Sequence, residues 1–350
     1  MYRDTYMEVY LDNIKYNVEK IINKYHDYEY YFAVVKASCY GLGLEPINKM
    51  LEAGCNYLSV ATLEEALEIR KLYKDIDILT FGIVDLKYLD LCIENNITIT
   101  ISNIEYLEEL IKLKPTNLKV HLKLNTGMNR LGIKRQEEVD YAYNLLLNST
   151  IYLEGIYTHI YDSSNYEHTT NQYKTFEFLT QNIDLNKIKI VHIDASTSLI
   201  NYPKKEYCNG CRLGIIMYGL EDNSNNLLST YKLKSKIIQI NEIENESVGY
   251  SAKYKTDKKE LIGVVPIGYA DGFIRKNTEG FVYINNNRYQ IVGNICMDML
   301  FVRIDENVKV GDEVELIKDN NHINEIAKHL DTISYEISCL IGDRVPRIYK

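Results

Sequence analysis

Along the first two-thirds of the chain, short apolar runs alternate with longer stretches in which apolar residues recur every third and fourth position. The short runs are YFAVVK at 31–36, YLSVA at 57–61, DILTFG at 77–82, ITITIS at 97–102, KVHLKLN at 119–125, LEGIYTH at 153–159 and KIVHIDA at 189–195. They are rich in β-branched residues and almost continuously apolar, the pattern of strands covered on both faces. The stretches LDNIKYNVEKIINKY, LEEALEIRKLY, VDLKYLDLCIENN, NIEYLEELIKL and EEVDYAYNLLL have the spacing of amphipathic helices. Seven strand–helix units follow, with an eighth strand expected before about residue 215. Eight such units close a (β/α)8 barrel. An open doubly wound sheet would want a glycine-rich phosphate loop after its first strand, and here the first strand runs into a lysine.

Beyond about residue 229 the period changes to two. YKLKSKIIQINEI, KELIGVVPIGY, GFVYINNNRYQIVG, MLFVRID and DEVELI alternate and are separated by Gly, Asn and Asp, which predicts a mostly antiparallel β domain. One short helix is expected at INEIAKHL, 323–330, and EDNSNN at 221–226 reads as a polar linker. The expected division is a barrel over 1–226 and a β domain over 227–350, with residues 1–10 candidates to pair with the second domain.

Composition narrows the function classes. The net charge of −9 argues mildly against nucleic acid, whose phosphates want a basic face. No run of eighteen apolar residues predicts a membrane span. The first thirty residues are charged throughout and lack the apolar core of a signal peptide, so a cytoplasmic protein is expected. Seven cysteines suggest no disulfide framework; Cys208 and Cys211 form a C-x-x-C without the second pair a structural zinc would want, and no metal is expected.

In a barrel enzyme the functional groups sit at the C-terminal ends of strands. Here those ends carry Lys36, then Lys123 and Arg130, then His159 and Ser196. A lysine ending a buried strand has two readings of equal weight. It is a neutral amine for Schiff-base chemistry, or an ammonium that snorkels to water.

VVKASCYGLG resembles the cofactor-lysine signature of the alanine racemase family. The resemblance continues in order through KLNTGMNRLGI, GIYTHI, HIDAS, RLGIIMYGL, VGYSAKY, PIGYADGF, VGNICMDM and YEISCLIGDRVPRIY, covering nearly the whole chain. It implies a barrel followed by a β domain, and a pyridoxal-phosphate enzyme that interconverts L- and D-alanine for cell-wall synthesis. Lys36 would carry the cofactor as an imine and serve as one base. Tyr250 would be the second base. Tyr40, Ser196, Tyr335 and the backbone of Gly214 and Ile215 would bind the phosphate. Arg212 would face the pyridine nitrogen, with His159 linking it to the catalytic tyrosine and His192 either supporting it or an ordinary core histidine. Arg130 would contact the cofactor's phenolic oxygen and, with the Met297 N–H, the substrate; the family often carbamylates the lysine matching Lys123. Two chains would pair head to tail and share sites.

Placing Arg212 at the barrel mouth also implies that the eighth strand is 207–212 and that IIMYG begins a helix. The sequence departs from the family pattern at Ser38, Cys39, Leu42, Asn125, Asn129, Ala195 and Asn294. None of these removes a catalytic group. Asn129 and Asn294 bear on substrate preference, and a serine or broad-specificity racemase is the sister reading, against which the retained Tyr335 favours alanine. A silent cofactor-binding protein would be expected to lose Tyr250 or Arg212. Asp271 in GYADG reads as a turn residue.

Overall fold

The computed structural model describes residues 2–220 and 226–350, so all but the last residue of the linker read at 221–226 lies outside the described residues. The chain forms two units. One comprises Lys15–Cys39 and Ile47–Met217; the other comprises Met1–Ile14, Tyr40–Pro46 and Tyr218–Lys350.

Strand β1 (Tyr6–Val9) belongs to the second unit, and the next eight strands close a parallel barrel in the first. These are β2 (Tyr30–Val34), β3 (Tyr57–Val60), β4 (Ile78–Thr80), β5 (Ile97–Ile101), β6 (Lys119–Lys123), β7 (Tyr152–Tyr157), β8 (Ile190–Ala195) and β9 (Gly210–Leu213). Closure is made by β9 on β2, with Arg212 opposite Phe32. Every apolar run of the sequence appears as a strand within a few residues of its expected bounds, because each is covered on both faces. The helices between them are capped as their sequences ask. Before the helix Leu63–Leu72, Thr62 Oγ1 accepts the Glu65 N–H and a Glu65 carboxylate oxygen accepts the Thr62 N–H.

Two details of the barrel differ from the sequence reading. The eighth strand is Gly210–Leu213 rather than 207–212, because Cys208 N–H closes a turn on Lys205 O and keeps the preceding residues out of the ladder. Residues 215–219 form a turn instead of opening a helix. Met217 N–H bonds Gly214 O at 3.0 Å, and the chain then bends at Gly219, where φ is +69° and a Cβ would meet Leu228 O at 2.3 Å.

The second unit is a nine-stranded sheet. Its later strands are β10 (Tyr231–Lys236), β11 (Gln239–Ile243), the two-residue β12 (Ser247–Val248) and β13 (Tyr254–Lys255), β14 (Glu260–Val265), β15 (Phe281–Ile284), β16 (Asn287–Val292), β17 (Leu300–Ile304), β18 (Glu313–Ile317) and β19 (Arg347–Tyr349). The order is β11-β14-β17-β16-β15-β18-β10-β1-β19, with β12 and β13 paired apart. The pairs are antiparallel except β1 with β19. Alternating burial along β10 and β15 is the period-two pattern of the sequence made physical. The expected helix runs over Asn320–Leu330, three residues longer at its start because Asp319 accepts the His322 N–H.

After β2 the backbone does something that no local pattern announces. Ala37, Ser38, Cys39 and Tyr40 are all left-handed, with φ between 50° and 56°. Each non-glycine residue in this conformation costs about 1–2 kcal/mol. Cys39 N–H bonds Val35 O at 3.0 Å and Ala37 N–H bonds Glu65 Oε1 at 2.7 Å, so the run is held by the barrel rim. Ser38 is exposed. Replacing it with glycine relieves the strain at the expense of about 0.5–1 kcal/mol of backbone entropy. Ser38→Gly should therefore raise the denaturant midpoint by the equivalent of about 0.5–1 kcal/mol; an unchanged or lower midpoint would show that the left-handed turn is not strained.

Candidate active site

The interior of a barrel is usually filled with branched apolar side chains. This one holds Phe32, Tyr57, Thr98, Thr100, His121, Glu154, Tyr157, His192 and Arg212, all buried. A permanent cation cannot shed its proton to escape burial, so Arg212 must be satisfied in place. Its Nη1 donates to His192 O at 2.9 Å and His192 Nδ1 at 2.7 Å. Its Nη2 donates to Thr158 O at 2.8 Å and Ile193 O at 2.7 Å, and lies 3.3 Å from His159 Nδ1. The guanidinium also lies over the Tyr157 ring, 5.6 Å from its centroid.

The charge of Arg212 organises its neighbours. Burial first, and then the charges of Arg212, Lys123, Arg130 and Lys36, push His159 well below the ordinary imidazole pKa. Burial, Arg212 and His121 do the same to His192. Lys123 ends β6 with its ammonium position 4.4 Å from the Tyr157 ring centroid, and burial with Arg212 and Arg130 holds it well below the ordinary lysine range. The mouth of the barrel is thus a place of concentrated positive potential where imidazoles and amines are neutral.

Beside it lies a backbone cradle. Ser196 begins the short helix Ser196–Asn201, and its Oγ accepts the N–H groups of Gly214 at 3.1 Å and Ile216 at 3.4 Å. The sequence reading named Gly214 and Ile215 here; Ile216 also contributes its N–H. Buried hydroxyl and N–H groups at a turn suit a phosphate. A lysine, fixed cations and this cradle fit a phosphorylated aldehyde cofactor.

Tyr40, Tyr250, Met297 and Tyr335 belong to the β unit. Tyr40 packs on Tyr218 with centroids 4.8 Å apart, and its carbonyl accepts Ser338 Oγ at 2.7 Å. Tyr335 is half-buried on the helix Ser334–Leu340. Tyr250 is exposed on a 3-10 turn, its carbonyl accepting Asn294 Nδ2 at 2.9 Å, and Met297 is exposed on the loop between β16 and β17. Asp271 is a buried turn residue bound by Arg3 at 2.6 Å and capping Gly268 N–H at 3.0 Å. Among the described residues no His/Cys/Asp/Glu group could hold a metal ion, and no helix is long and apolar enough to cross a membrane.

Three of the sequence departures, Asn125, Asn129 and Ala195, are conformationally mild. Asn129 takes φ +55°, a left-handed conformation that asparagine tolerates. Asn125 Oδ1 accepts the Gly127 and Asn129 N–H groups at 3.1 and 3.0 Å. Ala195 has no side chain to cap its helix, and Ser198 Oγ accepts the Ala195 N–H at 2.9 Å. Sequence reasoning missed Glu154 and His121. For His121 a signal was available, since it falls on an apolar strand run at a position that alternates into the barrel, whereas Glu154 sits where the β6–β7 register shifts, which alternation does not reveal.

A (β/α)8 barrel with a lysine, a buried arginine and a hydroxyl-lined cradle at one rim, carried with a β unit in one chain, is the construction of the pyridoxal-phosphate-dependent amino-acid racemases. The family profile "Alanine racemase, N-terminal domain" matches residues 9–222, and "Alanine racemase, C-terminal domain" matches residues 230–349. The chain is 38% identical to an alanine racemase of Halalkalibacterium halodurans, over 99% of this chain and 95% of that protein. It is 36% identical to alanine racemase 1 of Bacillus subtilis, over 99% and 93%. The structure of alanine racemase from Bacillus anthracis with bound L-Ala-P superposes with a TM-score of 0.92 at 32% identity, covering 100% of this chain and 96% of that one. The chain belongs to the alanine racemase family.

The neutral histidines generate a prediction. His121, His159 and His192 have folded pKa values below the unfolded value of about 6.5. Below that pH the unfolded chain binds protons that the folded chain refuses, so stability falls as pH falls. A histidine that stays neutral in the folded chain contributes at most about 1.4 kcal/mol per pH unit below the unfolded pKa. Urea midpoints should drop steeply between pH 7 and 5; a midpoint that holds steady or rises on acidification contradicts the neutral assignment.

Proposed function

We propose that the chain is a pyridoxal-phosphate-dependent alanine racemase that uses Lys36 and Tyr250 as two bases and works as a cytoplasmic homodimer with shared sites. The observation that carries this reading is Arg212, a fully charged guanidinium buried at the barrel mouth among groups that burial and its charge keep neutral. The bound cofactor acidifies the α-proton of the amino acid by drawing electron density from the α-carbon.

The remaining work belongs to this chain. Lys36 holds the cofactor and moves a proton at Nζ on one face of the substrate. The Tyr250 hydroxyl oxygen takes or returns a proton on the opposite face, which inverts the centre. Arg212 would face the ring nitrogen as a donor and, being always charged, would not surrender a proton to it, which would limit side reactions. His159 carries the influence of Arg212 towards Tyr250. Ser196, Tyr40, Tyr335 and the N–H groups of Gly214 and Ile215 bind the phosphate. Arg130 and the Met297 N–H orient the substrate. Lys123, neutral through burial and two arginines, has the nucleophilic amine that adds to carbon dioxide with loss of a proton, giving an anion to hold Arg130. None of the seven cysteines is in a disulfide, which fits a reducing compartment.

The substrate is tested by racemisation of single amino acids. L- and D-alanine should have the highest kcat/KM. Weak serine turnover is compatible, since an apolar pocket rejects an added hydroxyl poorly; preference for serine or a basic amino acid would exclude alanine as the substrate.

Shared sites have a sharper test. Lys36→Ala and Tyr250→Phe chains, each inactive alone, are mixed and allowed to re-pair. In a mixed dimer one site collects both defects and the other neither, so random pairing should restore about a quarter of wild-type activity. Absence of recovery, with subunit exchange shown independently, would mean that both residues serve the same chain's site.

A further inference from the structure

Among the described residues no carboxylate hydrogen-bonds Arg212, and its charge is answered by a buried chain that runs down the barrel. Arg212 Nη1 donates to His192 Nδ1 at 2.7 Å. His192 Nε2 lies 2.9 Å from His121 Nδ1, and His121 Nε2 lies 3.3 Å from Glu154 Oε2. Both imidazoles and the carboxylate are fully buried. Proton counting fixes every direction. A guanidinium can only donate, so His192 Nδ1 accepts and the proton of the neutral ring is on Nε2. That N–H donates to His121 Nδ1, whose ring must then carry its proton on Nε2 and donate to Glu154.

The rings have no freedom to leave this arrangement. His192 is stacked between Tyr157 and Phe32, with centroids 4.6 Å away on each side. His121 lies against Gly155, where a Cβ would come within 2.6 Å of its Cε1. Glu154 receives further hydrogen bonds from Tyr57 at 2.7 Å and Lys189 at 2.7 Å. Burial opposes its ionisation, but His121, Lys189 and Tyr57 hold the carboxyl well below the usual carboxylate range. Asp194, the other buried carboxyl near Arg212, is bonded by Tyr28 at 3.0 Å and Tyr173 at 2.5 Å.

We propose that Glu154 and His121 are positioning residues for the racemase. Through His192 they fix Arg212 in one orientation, both imidazoles being held as neutral Nε2–H tautomers. Glu154 is a remote counter-ion, far enough removed that Arg212 keeps its donor strength towards the cofactor's ring nitrogen. A carboxylate in direct contact would compete for those donors, whereas two imidazoles deliver the compensating dipole without doing so. This inference rests on the reading of Arg212 given above.

Neutron diffraction from the deuterated holoenzyme at neutral pD reads the chain directly. Deuterium is expected on Nε2 and not on Nδ1 of both His121 and His192. Deuterium on Nδ1 of either ring overturns the proposal, whatever the activity. Glu154→Gln keeps an acceptor for His121 but removes the anion. It should shift the absorption maximum of the bound cofactor and lower kcat about 10–100-fold, as loss of an outer hydrogen-bond partner does, with KM for alanine changed less. Lys232→Met, which removes an ion pair with Glu315 in the β unit and touches no member of the chain from Glu154 to Arg212, should leave the absorption maximum in place. An unshifted maximum with kcat within twofold for Glu154→Gln would overturn the proposal, as would equal shifts in both variants. If Glu154→Gln does not fold, the wild-type tautomers still decide. A yellow holoenzyme with the wrong tautomers refutes the wire alone, whereas a protein that binds no cofactor refutes the reading of the site.

Discussion

The structure depends on one buried charge. Arg212 cannot neutralise itself, so the interior of the barrel is built around it: carbonyls of Thr158, His192 and Ile193 turn their oxygens onto it, and Tyr157 offers its ring. The positive field that results has consequences well beyond the guanidinium. Together with burial, the larger cause, it keeps His159, His192 and Lys123 neutral, and a neutral group is what a proton relay or a nucleophilic amine requires. It also makes the mouth receptive to an anionic phosphate, for which Ser196 and the turn after β9 present donors.

Rigidity at that mouth is obtained by accepting local strain. Four consecutive left-handed residues follow Lys36, an arrangement that an isolated peptide would not populate. Glu65 connects this turn to its own helix cap, since one of its carboxylate oxygens holds Ala37 N–H while the other holds Ala61 and Thr62. A capping residue has become a clamp on the segment that follows Lys36. Strain of this kind persists only where surrounding contacts over-determine the backbone.

The polar filling of the barrel follows the same logic. Glu154, His121 and His192 would each be costly in an apolar core, yet every donor among them meets an acceptor. The stacking of Phe32 and Tyr157 on His192 supplies the apolar packing that branched residues would otherwise give. The interior is both a core and a conduit, and its members are specified by hydrogen-bond direction as much as by volume.

The sequence by itself determined the architecture. Seven apolar runs, their helical separators and the later period-two pattern are local properties, and burial on two faces or one imposes them residue by residue. It determined the family as well, through motifs such as VVKASCYGLG and RLGIIMYGL that keep their order over the whole chain. Lys36 and Arg212 were legible for that reason. Tertiary structure decided where the eighth strand stops, since the turn at 215–219 is set by contacts at Gly219 that no periodicity encodes. It also decided the handedness of residues 37–40, which depends on Glu65 at the start of another helix. Above all it decided that Glu154, His121 and His192 form a line. They come from β7, β6 and β8, are separated by 33 and 71 residues, and meet because the order β6-β7-β8 gathers the strands and Gly155 on β7 leaves room for the His121 ring. Strand alternation turns His121 and His192 inward, whereas Glu154 sits at a bulge where the β6–β7 register shifts; which atoms then meet is a question of register, and register is fixed by the closed sheet rather than by any one strand.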